Sequence, residues 1–192
     1  MTPKEFAQLA QLAYDSAPDI GAEDSAARAI IVGDVVAFPG TNNPACFLAD
    51  LDADAIMSEE FGHIHDGFHK AFDSIRAPLM ALGDVQAVTG HSLGAALALL
   101  YAAALCLAGK PPKEVHAFEP PHVSCDDTLA GIFAAHGVAV HIYRKGEDII
   151  PMIPRILHDW RHPAPVISIG VPTWPIWNIE DHALAGIIES LP

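Results

Sequence analysis

The chain has 192 residues, 51% of them hydrophobic and 18% charged, which allows a buried core and excludes disorder. Lys and Arg number 10 against 24 Asp and Glu, a formal net charge of −14; that field repels phosphate backbones and anionic bilayers, so neither nucleic-acid binding nor stable membrane anchoring is expected. The three cysteines (Cys46, Cys106 and Cys125) form no C-x-x-C pair, and with no long apolar run at the start they predict a reduced, cytoplasmic protein.

Taken in chain order, Thr2-Pro3-Lys4-Glu5 is a T-x-x-E capping box with a proline in the first turn, so a helix begins there. Phe6, Leu9, Ala10 and Ala13 fall on one face of it. Residues 29–32 and 35–38 are β-rich runs around Gly33-Asp34, the pattern of a hairpin. Residues 51–57 read as another strand, and 68–82 as a helix whose straightness Pro78 challenges. The apolar stretch from 93 to 109 is about 17 residues long, at the short edge of a membrane span, and reads as a buried central helix. From residue 84 onward, strands at 84–89, 115–118, 138–143 and 166–169 are interleaved with helices at 93–108, 128–135 and 183–191. This order implies a mostly parallel central sheet with helices on both faces, in a single domain spanning 1–192. Ligands in such folds sit beyond the carboxyl ends of the strands. Functional residues are therefore expected just after Phe38, Thr89, Phe118, Tyr143 and Ile169.

One of those loops holds Gly90-His91-Ser92-Leu93-Gly94, a G-x-S-x-G between a strand and a helix, as a nucleophile elbow requires. Glycines at 90 and 94 remove side chains that would clash in so sharp a turn, and the helix N-terminus favours negative charge forming beside Ser92. A serine hydroxyl attacks only once a base takes its proton, so a histidine and an orienting acid must follow. Topology offers Asp148 or Glu147 after the 138–143 strand as the acid. After the last strand it leaves His182 as the base. His158 and His162 precede that strand and belong to the wrong end, while Asp126 and Asp127 occupy helix N-terminal positions.

These residues resemble the fungal-type (class 3) lipases from about Ile30 onward. The family joins F-x-G-[ST], V-H-x-G-F, G-H-S-L-G, an F-G-x-P-R-V-like stretch and a D-x-V-P-x-x-P acid loop. This chain has Phe38-Pro39-Gly40-Thr41, then His65-Asp66-Gly67-Phe68, then the full GHSLG, then Phe118-Glu119-Pro120-Pro121-His122-Val123. Its acid loop is Asp148-Ile149-Ile150-Pro151-Met152-Ile153-Pro154. The resemblance implies an α/β-hydrolase fold, Ser92 as nucleophile, Asp148 rather than Glu147 as acid, and His182 as base. It implies Thr41 and Leu93 as oxyanion-hole residues and His65 as a support for the oxyanion segment. It also puts a lid at residues 42–49, with Phe47 in a substrate-contacting place. Pro39 and His122 depart from the family, which has basic residues there. The implied activity is hydrolysis of carboxylic esters, on small-molecule or lipid substrates and without cofactor or metal.

Other signals compete. His63, His65 and His69 resemble a metal cluster, which would make a metal-dependent hydrolase the alternative. A non-catalytic binding protein on the same fold is the other, and a missing triad member would favour it. Trp174 and Trp177 lie in a Pro-rich loop upstream of His182, where they wall an acyl pocket, meet a lipid surface, or pin the loop to the core. Asp50, Asp52, Asp54, Glu59 and Glu60 read as a solvated face.

Overall fold

The computed structural model describes residues 1–41, 54–155, 157–174 and 178–192. Thr2 Oγ1 accepts from the N–H of Glu5 at 3.3 Å, and Glu5 Oε2 accepts from the N–H of Thr2 at 2.7 Å. This reciprocal box opens α1 (Pro3–Asp15), which buries Phe6, Ala7, Ala10 and Ala13. A short β1 (Ile20–Gly21), absent from the sequence reading, pairs antiparallel with β2 (Arg28–Val32). The expected hairpin joins β2 to β3 (Val35–Phe38), with Val32 opposite Val35 and Gly33 at φ 63°.

Two strands form a separate small sheet, β4 (Ala55–Ser58) and β5 (Gly62–His65). The expected 51–57 strand thus sits later in the chain, and its first residues, 51–53, lie outside the described ones. Next comes α2 (Asp66–Met80), capped by His65 Nδ1, which accepts from the N–H of Gly67. It runs through Pro78, which stands in the last turn. Then follow β6 (Ala87–His91), α3 (Leu93–Leu107), β7 (Glu114–Phe118), α4 (Thr128–His136), β8 (Ala139–Lys145), β9 (Val166–Ile169) and α5 (Leu184–Ser190).

The main sheet has seven strands in the order β1-β2-β3-β6-β7-β8-β9, and every pair from β3 to β9 is parallel. Alternation along the strands sends side chains to two layers. Val36, Phe38, Val88, Val115 and Ala117 face the core shared with α2, α3 and α4. Val35, Ala87, Phe118 and Tyr143 face Phe6, Ala7 and Ala10 of α1 and Leu184 and Ile187 of α5. Helix α3 is central, with every residue from Leu93 to Cys106 buried. Among the described residues no helix is long and apolar enough to cross a membrane.

Candidate active site

Four parallel strands end level with one another, with Phe38 opposite Gly90, His91 opposite Phe118, and Phe118 opposite Tyr143. The chain leaves β6 into Ser92, at φ 57° and ψ −127°, and enters α3 at Leu93. Only tight surroundings hold a non-glycine residue in that region. A Cβ on Gly90 would stand 2.3 Å from Gly94 O, and one on Gly40 would stand 2.8 Å from Ser92 Cβ. The glycines thus let helix, strand and the Pro39-Gly40-Thr41 segment close on Ser92. Ser92 is 1% exposed, and its Oγ has no hydrogen-bond partner among the described residues. Leu93 occupies the first helical position, where the N–H has no acceptor within the helix.

His182 ends a 3-10 turn, Glu180–His182, and is buried. Its Nδ1 lies 2.6 Å from Asp148 Oδ2, while its Nε2, like Ser92 Oγ, is buried without a partner among the described residues. The predicted acid and base are therefore brought together. Asp148 is fixed from its other side, since Oδ1 accepts from the N–H of Ile150 at 3.0 Å and the Arg144 Nε donates to the Asp148 carbonyl at 2.9 Å. Glu147, the acid that topology alone also allowed, pairs instead with Arg144 at 3.0 Å.

A second carboxylate completes this group. Glu119 is fully buried, and its Oε2 stands 3.1 Å from His182 Nδ1. Burial pulls the imidazole toward the neutral form, but hydrogen bonds and charge from Asp148 and Glu119 outweigh it and raise His182 to about 9. Burial lifts Asp148 to about 7 against the pull of His182. Glu119 goes the other way: burial would raise it, yet His182 and His91 hold it below the usual carboxylate range. Glu119 does not stand out in the sequence as a site residue, because an acid after a strand is an ordinary loop residue. Its signal was that it stands where the F-G-x-P-R-V stretch has glycine, and its φ is 51°.

His91 and Asp181 were also missed. The Tyr14 hydroxyl donates to His91 Nδ1 at 2.7 Å, and Nε2–H of His91 donates to the His182 carbonyl at 2.9 Å. Because a carbonyl only accepts, the second bond fixes the tautomer; burial keeps this ring below the ordinary histidine range. Asp181, fully buried, accepts from Lys145 Nζ at 2.7 Å, from the N–H groups of Glu147 and Thr173, and from the Thr173 hydroxyl. It fastens the histidine turn to the acid loop.

His182 opens onto a cavity of about 440 Å³ lined also by Gln11, Tyr14, Thr41, His91 and Leu184. Thr41 thus borders the same cavity as His182. Trp174 is 79% exposed and is not among the residues lining this cavity, so of its three expected places the pin to the core is not the one it takes. Phe47, the lid segment 42–49 and Trp177 lie outside the described residues.

The supposed metal cluster is dispersed as well. His63 Nδ1 faces Asp126 at 3.7 Å, His65 caps α2, and His69 Nδ1 faces Asp73 at 3.5 Å. Among the described residues, two groups come close enough to share an ion: His91, Glu119 and His182, where His91 Nε2 and His182 Nδ1 are already engaged by the His182 carbonyl and Asp148, and Glu114, His116 and His141. The His116 and His141 rings are stacked, however, at 4.6 Å and 25°, so their in-plane lone pairs run side by side instead of converging.

A profile of class 3 lipases matches residues 35–158. The secreted mono- and diacylglycerol lipase 1 of Fusarium solani is 30% identical over 111 residues, which is 53% of this chain and 33% of that protein. The chain thus spans a third of the length of the curated relative it matches. Among solved structures, the Rhizomucor miehei triacylglyceride lipase matches with a TM-score of 0.72 over 94% of this chain and 91% of that one, at 16% identity. The mono- and diacylglycerol lipase of Aspergillus oryzae matches with 0.61 over 77% and 58%, at 24% identity. At those identities the likeness shows the α/β-hydrolase fold. The expectation of a cytoplasmic protein does not stand, because the curated relative is a secreted protein. Cys106 is a packing residue of the α3 core, and its burial says nothing of redox environment. The profile match runs through the elbow, the 118–123 stretch and the acid loop, and the chain belongs to the class 3 lipase family.

Proposed function

We propose that this chain hydrolyses carboxylic esters of acyl lipids through an acyl-enzyme on Ser92. The observation that carries this reading is the imidazole of His182, with Nδ1 2.6 Å from the Asp148 carboxyl group and Nε2 buried without a partner. That is the arrangement of a base waiting for a hydroxyl proton.

Ser92 Oγ attacks the ester carbonyl carbon and passes its proton to His182 Nε2. Asp148 holds Nδ1–H, which keeps the lone pair on Nε2 and stabilises the imidazolium once formed. The oxyanion is met by the N–H groups of Leu93 and Thr41 and by the Thr41 hydroxyl; losing one such donor raises the barrier by about 3 kcal/mol. Collapse breaks the ester C–O bond, and the alcohol leaves with the proton from His182. Water then adds to the acyl-serine while His182 takes its proton, and the acid departs as Ser92 regains its hydrogen. The scheme calls for no cofactor. Lipid esters are the substrate class because the relatives are named as acylglycerol lipases.

Ser92→Ala is expected to abolish hydrolysis across a panel of p-nitrophenyl esters from acetate to palmitate, with circular dichroism unchanged. Labelling by a fluorophosphonate probe should stop with it. A mutant that still turns over ester or still labels would overturn the assignment.

A further inference from the structure

We propose that Glu119 is a second positioning carboxylate for His182, sharing the Nδ1 proton with Asp148, so that two acids hold and charge the base. This rests on the reading of His182 as that base. The Glu119 side chain leaves the end of β7 from a left-handed backbone, φ 51°, and lies fully buried. Its two oxygens do different things. Oε1 accepts from the N–H of Lys145 at 2.9 Å, which ties β7 to β8 and sets the direction of the carboxyl group. Oε2 is buried with no hydrogen-bond partner among the described residues, and it stands at ion-pair distance from two imidazoles, 3.1 Å from His182 Nδ1 and 3.8 Å from His91 Nε2. A role in joining strands would need only Oε1. A buried carboxylate oxygen is costly without a partner, and His182 Nδ1 is the nearer of the two imidazole nitrogens it faces.

The groups around Glu119 leave its charge aimed at His182. On β6, His91 gives its Nε2–H to the His182 carbonyl and burial keeps its ring neutral. On α1, Tyr14 stays a neutral phenol, because burial raises it far above its ordinary range. From β8, Lys145 offers its backbone N–H, while its ammonium is held by Asp181. Asp148 shares Nδ1 and takes a proton near neutrality, at about 7, whereas Glu119 remains charged below that. As pH falls through 7, Glu119 is therefore the carboxylate that stays charged beside His182.

The test is Glu119→Gln, which keeps the shape and the bond to Lys145 but removes the charge. The acid limb of kcat/KM on a soluble ester should move down by about one pH unit, and the His182 ring titration followed by NMR should move with it. Glu119→Gly, suited to the left-handed backbone, should fold and show the same shift. Asp148→Asn should cost about 10²-fold in kcat while Glu119 is present, against about 10⁴-fold where a sole carboxylate is lost, and Glu119→Gln added to it should remove the remainder. An acid limb and ring titration unmoved in both Glu119 variants would overturn the proposal. Active Ser92→Ala would instead overturn the function, and the NMR titration reads the Glu119 contact without reference to turnover.

Discussion

A Cβ on Gly94 would stand 2.3 Å from Pro39 O and 2.5 Å from Phe38 O, against backbone that cannot rotate away as a side-chain tip can. Gly94→Ala must therefore push α3 off the segment that carries Thr41. We expect a stability loss of about 1–3 kcal/mol in urea unfolding and at least a tenfold fall in kcat, with KM changed less, because the displaced donors act on the oxyanion and not on the bound ester. Wild-type kcat in a folded Gly94→Ala protein would remove Thr41 from the oxyanion hole. Single residues of this kind are legible in the sequence when their reason is local. Gly90, Ser92 and Gly94 announce themselves because one sharp turn dictates all three. His182 is legible through topology, as the histidine that follows the last strand, but topology leaves the acid open between Asp148 and Glu147, and only the likeness of the acid loop picks Asp148. Glu119 and His91 are not legible, because nothing in their own neighbourhoods requires an acid or an imidazole. Their reason is a histidine far away in the chain.

The same division holds among elements. Helix α1 could be placed from its capping box and apolar stripe, and the β2–β3 hairpin from Gly33-Asp34. The stripe told which face of α1 is buried, but its opposite use, with Gln11, Tyr14 and Asp15 lining the cavity beside His182, depends on where the helix packs. Strand β5 was hidden because four residues, Gly62–His65, carry too little alternation, and its pairing with β4 supplies the missing order. The turn bearing His182 was equally unreadable as an element. It is built around Asp181, whose carboxylate gathers Lys145, Thr173 and the Glu147 N–H. Asp181→Ala leaves the Lys145 ammonium, 14% exposed, without its acid. Breaking such a pair costs about 3 kcal/mol, or a Tm lower by roughly 10 °C. Because this residue shapes the loop without touching substrate, kcat should fall with it as His182 loses its fixed orientation. A Tm within a degree or two of wild type would show the network to be dispensable.

At the scale of the whole molecule, activity and stability respond to pH in opposite directions. The base accepts a proton only when neutral, and His182 is held at about 9 by two carboxylates that outweigh its burial. The acid limb of kcat/KM should therefore lie well above the ordinary histidine value of roughly 6.5, with activity still rising between pH 7 and 9. A folded-state pKa raised above the unfolded one contributes stability that is complete below the unfolded value and is lost as pH climbs through the folded one. For His182 that loss occurs between about 6.5 and 9. Asp148, raised to about 7, adds a loss beginning lower, from about 4 upward, because ionising it in the fold becomes steadily more costly than in the unfolded chain. Asp181 works the other way: held below its ordinary range by Lys145 and Thr173 in spite of burial, it contributes stability that disappears only as pH falls through its folded value. The net charge of −14 at neutrality adds self-repulsion on the alkaline side. Thermal unfolding from pH 4 to 10 should thus show a maximum on the acid side of neutrality, while kcat/KM on a soluble ester peaks at alkaline pH. Added salt should recover part of the alkaline loss of Tm by screening the surface charge, and should leave the activity limb where it is, since the His182 cluster is buried. An acid limb at or below 6.5, or one that moves with salt as the Tm does, would show that the two carboxylates do not govern the base.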